Sequence, residues 1–193
     1  MTIAIAVFME APLPGRCLVE LLSAHAPEWV VGLHAAMLRD TIDGLQAIDA
    51  ASYHVLGPED AEGRRALERH LPAPWTLSAP PPSAATMIFA RSNAPSADIA
   101  PIARALTDAG PGVSLTSWAL VVRETPDIAV DLPWGSPELA STVRVRCMRV
   151  GIPLVELPPA IVIDAPSDVL VLLEELRRYP ERAPRTAQFL VTG

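Results

Sequence analysis

IAIAVF at residues 3–8 is a continuous apolar run, and APLPG at residues 11–15 ends it with two prolines and a glycine. A short apolar run rich in β-branched residues and bounded by a turn segment predicts a strand buried on both faces of a parallel sheet. Over residues 27–48 apolar residues recur every three or four positions, which predicts an amphipathic helix. These segments together predict a strand–loop–helix unit.

The same alternation of strand and helix continues along the chain. Further strands are predicted at residues 53–56, 75–77, 86–90, 113–122, 154–156 and 161–163, and further helices at residues 58–70, 97–109, 136–150 and 166–178. This order predicts an α/β fold, a three-layer α/β/α sandwich with a mostly parallel central sheet. Residues 1–178 form the predicted single domain, and residues 179–193 form a C-terminal tail without an assigned element.

The overall charge and the basic residues narrow the classes of function. The 193 residues carry a formal net charge of -7, and nucleic-acid binding by phosphate neutralisation needs a basic surface instead. All 15 basic residues are arginine, which excludes chemistry through a lysine side chain. We therefore expect no nucleic-acid partner and no Schiff-base chemistry.

Cysteine spacing and hydropathy bear on the compartment. Cys17 and Cys147 lie far apart, which predicts two reduced thiols rather than a disulfide framework or a zinc site. The four histidines show no metal-ligand spacing, and His34 falls on the apolar stripe of its helix, where a core histidine is the usual finding. The apolar run at residues 3–8 is too short to cross a bilayer. The expectation is a cytoplasmic protein without a membrane partner.

Four segments carry a family resemblance. FMEAPLPGRCLVEL at residues 8–21 resembles F-x-K-x-P-x-P-G-x-x-K-T-R-L, the opening of a bacterial family of glycosyltransferase-A-like transferases, the radical-SAM/selenodomain-associated group. SNAP at residues 92–95 resembles that family's S-D-x-P, PWGSP at residues 133–137 its P-W-[GS]-T-P, and IDAPSD at residues 163–168 its V-D-T-P-E-D. The resemblance covers most of the chain and implies the nucleotide-diphospho-sugar transferase fold.

The departures from the family pattern fall on its polar positions. Where the family's first loop would close over nucleotide phosphates with Lys, Lys-Thr and Arg, this chain has Glu10, then Leu18 and Val19, and then Glu20. At about 4 Å each charge contact is worth roughly 4 kcal/mol gross at an effective dielectric near 20, so two reversals predict the loss of ordinary nucleotide affinity. The resemblance implies a set of nucleotide-loop equivalents: Glu10, Pro14, Gly15, Arg16 and Glu20.

The metal position of the family is altered as well. Asn93 stands where the family places an aspartate that is expected to face a divalent cation. A neutral amide oxygen is a weaker ligand for Mg²⁺ or Mn²⁺ than a carboxylate, so we expect no metal site. The family's glycine-containing D-G-G-Y-x-L-x-G motif is replaced by SLTSWALV at residues 114–121, which places Trp118 among the cleft candidates.

Two further residues complete the cleft candidates. Trp134 is suited to stacking against a sugar or aglycone, although a packed loop tryptophan is an equal reading. Asp164 and Asp168 flank the start of the last predicted helix, where capping is the ordinary role of such residues. We interpret Asp168 as a cap and keep Asp164, with Asn93, as a site candidate.

Two functions stay open at this point. The first is a degenerate glycosyltransferase-A-like protein that binds a protein partner, a second copy or a pathway intermediate without catalysis and without a cofactor. The second is an active, metal-independent glycosyl- or nucleotidyl-transferase in which Arg16 and Asp164 hold the donor. We expect a nucleotide-sugar ligand, with Mg or Mn if a metal is used, only under the second function.

Overall fold

The structure is a computed structural model that describes residues 2–78, 84–108, 110–133, 136 and 138–192. Within these residues one sheet of seven strands is flanked by six α-helices. The strands are β1 Ile3–Phe8, β2 Ser52–Leu56, β3 Thr76–Ser78, β4 Thr86–Arg91, β5 Gly112–Leu115, β6 Ala119–Arg123 and β7 Leu154–Glu156. The helices are α1 Pro27–Gln46, α2 Ala61–Glu68, α3 Ala100–Ala105, α4 Leu139–Val150, α5 Pro166–Arg178 and α6 Pro184–Thr192.

The sheet order is β3-β2-β1-β4-β6-β5-β7. Strand β1 lies in parallel between β2 and β4, and the β2–β3 and β5–β7 pairs are parallel too. Strand β6 runs antiparallel to both of its neighbours. The mixed α/β fold with a mostly parallel sheet confirms the predicted fold class.

Strand residues alternate between two apolar layers because successive side chains point to opposite faces of a sheet. In β1, Ile5 and Val7 belong to a buried cluster with residues of α1, whereas Ala6 belongs to a second cluster with Val143 and Cys147 of α4. Helices therefore cover both faces of the sheet. A strand covered on both faces has no polar face, which explains the continuous apolar run at residues 3–8.

Two strand predictions are wrong. Residues 113–122 form a hairpin of β5 and β6 instead of one strand, because the backbone N–H of Thr116 donates to the carbonyl of Ala119 and the Thr116 hydroxyl accepts from the N–H of Trp118. A threonine that bonds to nearby backbone in this way favours a turn. Residues 161–163 form no strand; they follow Pro158 and Pro159, which cannot donate to a ladder.

Four predicted helices are shorter than expected. The helix predicted at residues 27–48 ends at Gln46, and the one predicted at 58–70 comprises Ala61–Glu68. The helix predicted at residues 97–109 is limited to Ala100–Ala105, and the one predicted at 136–150 begins at Leu139. Helix α5 has the bounds that the sequence predicts. No helix within the described ranges is long and apolar enough to cross a membrane.

The segment that the sequence left unassigned contains helix α6, which packs on α1. The Phe189 ring lies against Gly32, and Thr186 is fully buried. The buried carboxylate of Asp40 in α1 accepts hydrogen bonds from the backbone N–H groups of Arg185, at 3.2 Å, and Thr186, at 2.8 Å. These N–H groups belong to the first turn of α6, which has no partners of its own for them, so Asp40 caps α6 across the fold.

Candidate functional site

A cleft of about 760 Å³ lies where β1, β2 and β4 end. Its lining includes Met9 and Glu10 after β1, Gly57 after β2, and Ser92 and Asn93 after β4. In open α/β sheets ligands bind outside the carboxyl ends of parallel strands, where the connections leave in opposite directions along the sheet. The position of this cleft, between β1 and its two parallel neighbours, makes it the candidate site.

The loop after β1 is held by one of its own carboxylates. The Glu10 Oε2 atom accepts a hydrogen bond of 2.6 Å from the backbone N–H of Leu18. Leu18 has a left-handed backbone, with φ 43°, a conformation that costs roughly 1–2 kcal/mol for a residue with a side chain. A negatively charged acceptor at this amide compensates for that strain. Glu10 therefore stabilises the loop in which it lies.

The Arg16 guanidinium is engaged by α2. Its Nη2 atom lies 2.5 Å from Asp60 Oδ2, and its Nη1 atom lies 3.3 Å from a carboxylate oxygen of Glu62. Asp60 is also the N-cap of α2 and accepts from the Gly63 N–H at 2.9 Å. The hydrogen bond from Arg16, followed by the one from Gly63, lowers the pKa of Asp60 to about 2.

A second arginine, which the sequence did not single out, faces Asp164. The Nη2 atom of Arg91 lies 2.6 Å from Asp164 Oδ1. The Asn93 amide nitrogen donates to the same oxygen at 3.0 Å and to the carbonyl of Ile163 at 3.0 Å. Asn93 therefore acts as a donor beside Asp164, and a guanidinium neutralises the carboxylate.

This arrangement does not fit a divalent cation. A hard cation needs several oxygen ligands, yet the amide of Asn93 turns an N–H toward Asp164, and Arg91 already supplies positive charge there. Across the described part of the chain no group of three or more histidine, cysteine, aspartate or glutamate residues could hold a metal ion. We therefore derive no chemistry through a metal at this position.

Three buried polar side chains line the cleft: His34, Ser92 and Asn93. His34 is 1% exposed, and burial lowers the pKa of its imidazole to about 4, against the opposing effect of its hydrogen bond with the carbonyl of Glu10. Its Nε2 atom lies 3.2 Å from that carbonyl oxygen, so Nε2 carries the proton, and Nδ1 has no partner among the described residues. Asn93, 7% exposed, likewise leaves its Oδ1 atom without a partner there.

Cys17 lies in the same loop, but its thiol is not available for chemistry. It is fully buried, and burial together with the charge of Glu10 raises its pKa to about 11. The thiolate is the reactive form of cysteine, so a thiol with a raised pKa is unreactive at neutral pH. The sequence-based expectation of reduced thiols agrees with the buried free cysteines at positions 17 and 147.

The cleft brings together only some of the residues that the sequence singles out. Five of them line it: Glu10, Arg16, Glu20, Asn93 and Asp164. Among the described residues Pro14 and Gly15 lie in the loop but do not line the cavity, and Gly15 adopts a left-handed turn, with φ 74°. The carboxylate of Asp168 accepts from the backbone N–H of Ala165 at 2.7 Å, which confirms its capping role.

Of the two tryptophan candidates, only Trp118 belongs to the described residues, and it does not line this cleft. Trp118 is buried at the start of β6 and lines a second cavity, of about 420 Å³, together with Asp40 and Ile99. Trp134 lies outside the described residues. The stacking role of Trp134 therefore stays a prediction.

No protein-family model matches the sequence, and no curated protein matches it. Solved structures do match the fold. A candidate nucleotide-diphospho-sugar transferase from Desulfovibrio desulfuricans G20 has a TM-score of 0.83 at 17% identity, over 98% of this chain and 94% of that chain. A nucleotidyl transferase from Methanothermobacter has a TM-score of 0.60 at 15% identity, over 92% of this chain and 99% of that chain.

A third structure, a homolog of Mycobacterium tuberculosis rv0371c from Mycobacterium sp. strain JC1, has a TM-score of 0.53 at 14% identity, over 92% of this chain and 98% of that chain. The chain thus has a transferase-like α/β fold. More narrowly, it has the nucleotide-diphospho-sugar transferase fold, as the family resemblance implies. Identities this low show the fold alone, and a fold does not confer an activity.

Proposed function

We propose that this protein is a non-catalytic binding protein built on the nucleotide-diphospho-sugar transferase fold. The observation that carries the proposal is the bond between the Glu10 carboxylate and the Leu18 amide. A backbone N–H in a loop at the end of β1 is the kind of donor that binds a phosphate. Here that donor is bound to an anion of the chain itself.

The charges around the loop support the same conclusion. A phosphate placed near Leu18 would meet the carboxylates of Glu10 and Glu20, which line the cleft. Arg16 is bound to Asp60 and Glu62, so its charge is already neutralised. A diphosphate would therefore have to displace one carboxylate, approach a second and break an existing ion pair.

The proposal includes the binding of a pathway intermediate, a partner protein or a second copy of the chain, in the cytoplasm and without a cofactor. Exposed apolar side chains on α4 offer a surface for a macromolecular partner, with Val145 61% and Met148 80% exposed. Apolar patches of this kind are typical of interaction surfaces. The oligomeric state in solution tests that part of the proposal.

An active, metal-independent transferase is the second candidate. The observation that favours it is that Arg16 and Arg91 both line an open cleft of about 760 Å³, large enough for a nucleotide-sugar. For this function both guanidinium groups would have to exchange a carboxylate partner for phosphate. Nucleotide binding, which requires this exchange of partners, therefore distinguishes the two candidate functions experimentally.

The test is calorimetric titration with UDP, GDP and TDP and their sugars, with and without Mn²⁺ or Mg²⁺. We expect no binding tighter than about 1 mM, which corresponds to about 4 kcal/mol. The double variant Glu10→Lys with Glu20→Arg should gain affinity, because it removes both repulsions. A control variant, Glu28→Lys with Glu68→Arg, makes the same charge change at positions that do not line the cleft.

Saturable binding of a nucleotide by the unmodified protein would contradict the proposal and favour the transferase. Equal affinity of the two double variants would show that charge in the cleft does not control nucleotide binding. Either result would remove the argument based on Glu10.

A further inference from the structure

The second cavity, which Trp118 lines, is separate from the main cleft. The two share no lining residue within the described part of the chain. The walls of the second cavity include Gly44 and Leu45 of α1 and residues of the 94–99 segment, which leads into α3. Its volume of about 420 Å³ lies within the range of small-molecule pockets. The cavity is therefore large enough for a ligand of its own.

Most of the wall of this second cavity is apolar. Its apolar side chains are those of Leu45, Ala94, Pro95, Ala97, Ile99 and Trp118. Leu45, Ala94 and Trp118 belong to one buried hydrophobic cluster, and Ile99 packs against it. A Cβ atom on Gly44 would find no other atom closer than the Ile99 side chain, at 3.9 Å, so the absent side chain leaves space there. Such a wall favours a ligand with an apolar body.

The buried polar side chains of the wall already have partners. Both oxygens of Asp40 accept from backbone N–H groups of α6. The Thr41 hydroxyl donates to the carbonyl of Ser92 at 3.3 Å. The Ser96 hydroxyl donates to Glu175 at 2.7 Å. These groups therefore do not require a ligand.

The other charged residues of the lining, Asp98 and Arg182, are exposed to solvent. Asp98 accepts from the backbone N–H of Ala100 at 2.9 Å, and Arg182 donates to Glu175 at 2.6 Å. Water satisfies the remaining donors and acceptors of both side chains, because exposed polar groups are hydrated. They do not require a ligand either.

The indole N–H of Trp118 differs from these groups. Trp118 is 3% exposed, and its N–H has no hydrogen-bond partner among the described residues. The N–H of Trp75 is unpaired and sealed from solvent, whereas that of Trp118 is not sealed. Buried tryptophan usually finds an acceptor for its N–H, which can only donate. Since Trp118 lines the second cavity and not the main cleft, an acceptor in that cavity is in a position to bind this N–H.

We infer that the second cavity binds a small neutral molecule with an apolar body and one hydrogen-bond acceptor, such as a carbonyl oxygen, that accepts from the Trp118 N–H. A charged ligand is disfavoured because Asp40 and Arg182 already have partners and the rest of the wall is mostly apolar. The inference goes beyond the proposed function and does not depend on it, because the site lies outside the main cleft. No covalent step is involved.

The experiment is titration of the isotope-labelled full chain with acetophenone, and with ethylbenzene, which has nearly the same shape without the carbonyl. The NMR signals of the indole N–H groups report binding, and Trp118→Phe identifies the Trp118 signal among those of the four tryptophans. We expect acetophenone to bind with a Kd below about 1 mM and to move the Trp118 signal. Ethylbenzene should bind about fivefold more weakly, because it gives the N–H no acceptor. Trp118→Phe should bind the two probes equally.

Gly44→Leu is the blocking variant, since its side chain would extend from α1 toward Ile99 and fill the cavity. It should weaken acetophenone binding by about tenfold or more. Gly44→Ala is the matched control, because its Cβ atom has room and leaves the cavity open. It should bind acetophenone nearly as the unmodified protein does. Thermal melting of each variant checks that it folds.

Three results would each overturn the inference. They are a Trp118 signal that acetophenone does not move, equal affinities of the unmodified protein for the two probes, and acetophenone binding that Gly44→Leu leaves unchanged. A preference for acetophenone that disappears in Trp118→Phe, together with loss of binding in Gly44→Leu, supports it. Nucleotide titration tests the proposed function separately, because nucleotides are expected in the main cleft alone.

Discussion

The α1–α6 contact and the open cleft both use a carboxylate to hold backbone N–H groups, but they differ in access to solvent. The side chain of Asp40 is 1% exposed and binds two N–H groups of α6. Glu10 is exposed at the cleft and binds a single N–H, that of Leu18. Both oxygens of the buried Asp40 carboxylate accept from α6, whereas the exposed Glu10 carboxylate keeps one oxygen without a partner among the described residues.

The difference between Asp40 and Glu10 affects how the acidic residues of this fold are interpreted. A buried carboxylate such as that of Asp40, with both oxygens bonded to the backbone of a helix, is explained by its contribution to stability. The exposed carboxylate of Glu10 is not explained by stability in the same way, because its single hydrogen bond contributes only about 0.5–1.5 kcal/mol to the free energy of unfolding. The following variants test whether that distinction holds.

Asp40→Asn should give the largest effect. An amide cannot accept at both of its terminal atoms, so one buried N–H of α6 loses its partner, and we expect the free energy of unfolding to fall by about 2 kcal/mol. Glu10→Gln should change it by less than about 0.5 kcal/mol, since an exposed amide oxygen still accepts from Leu18. Urea unfolding measures both. Equal losses for the two variants would erase the difference between the sealed and the open carboxylate.

A matched pair of glycines in α1 gives the next largest effect. A Cβ atom on Gly32 would lie 2.5 Å from the Phe189 ring, whereas one on Gly44 would have Ile99 no closer than 3.9 Å. We expect Gly32→Ala to lower the free energy of unfolding by about 1 kcal/mol through overpacking. Gly44→Ala should raise it by about 0.5 kcal/mol, because alanine is the better helix former. Changes of the same sign in thermal unfolding would contradict close packing of α6 on α1.

The smallest effect concerns the Arg16–Asp60 pair at the rim of the cleft. The folded pKa of Asp60, about 2, lies below its ordinary value of 3.8, so the pair stabilises the fold above that ordinary value and the contribution is lost as the pH falls toward 2. The melting temperature of Arg16→Gln should therefore lie below that of the unmodified protein near neutral pH, and the gap should narrow in acid. Arg65→Gln, in the helix α2 that Asp60 caps, is the control. A constant gap would exclude the pair as its cause.

The sequence predicted best those features that depend on short-range periodicity. The strand at residues 3–8 and the helix Pro166–Arg178 have the bounds that the pattern indicates. The β5–β6 hairpin was missed because the residues on both sides of its turn are apolar, so the run at 113–122 has the pattern of one strand. The turn at Thr116 is stabilised by a side-chain hydrogen bond, which the hydropathy pattern does not reveal.

The site was harder to predict because its contacts join distant positions. Arg91 and Asp164 are 73 residues apart, and Arg91 belongs to no motif. The sequence identified Asn93 as a weakened metal ligand, but whether its amide accepts or donates depends on Asp164 beside it. The charge reversals at Glu10 and Glu20 could be read directly, while the hydrogen bond to Leu18 could not.

The contact between Asp40 and α6 has a consequence for the order of folding. It joins residues 145 and 146 positions apart, so forming it closes about three quarters of the 193-residue chain into a loop. Contacts between such distant residues cost conformational entropy before their interaction energy is gained. They therefore tend to form after the local contacts. We therefore expect the cap on α6 to form after the folding barrier, so that its loss in Asp40→Asn speeds unfolding more than it slows folding in stopped-flow measurements.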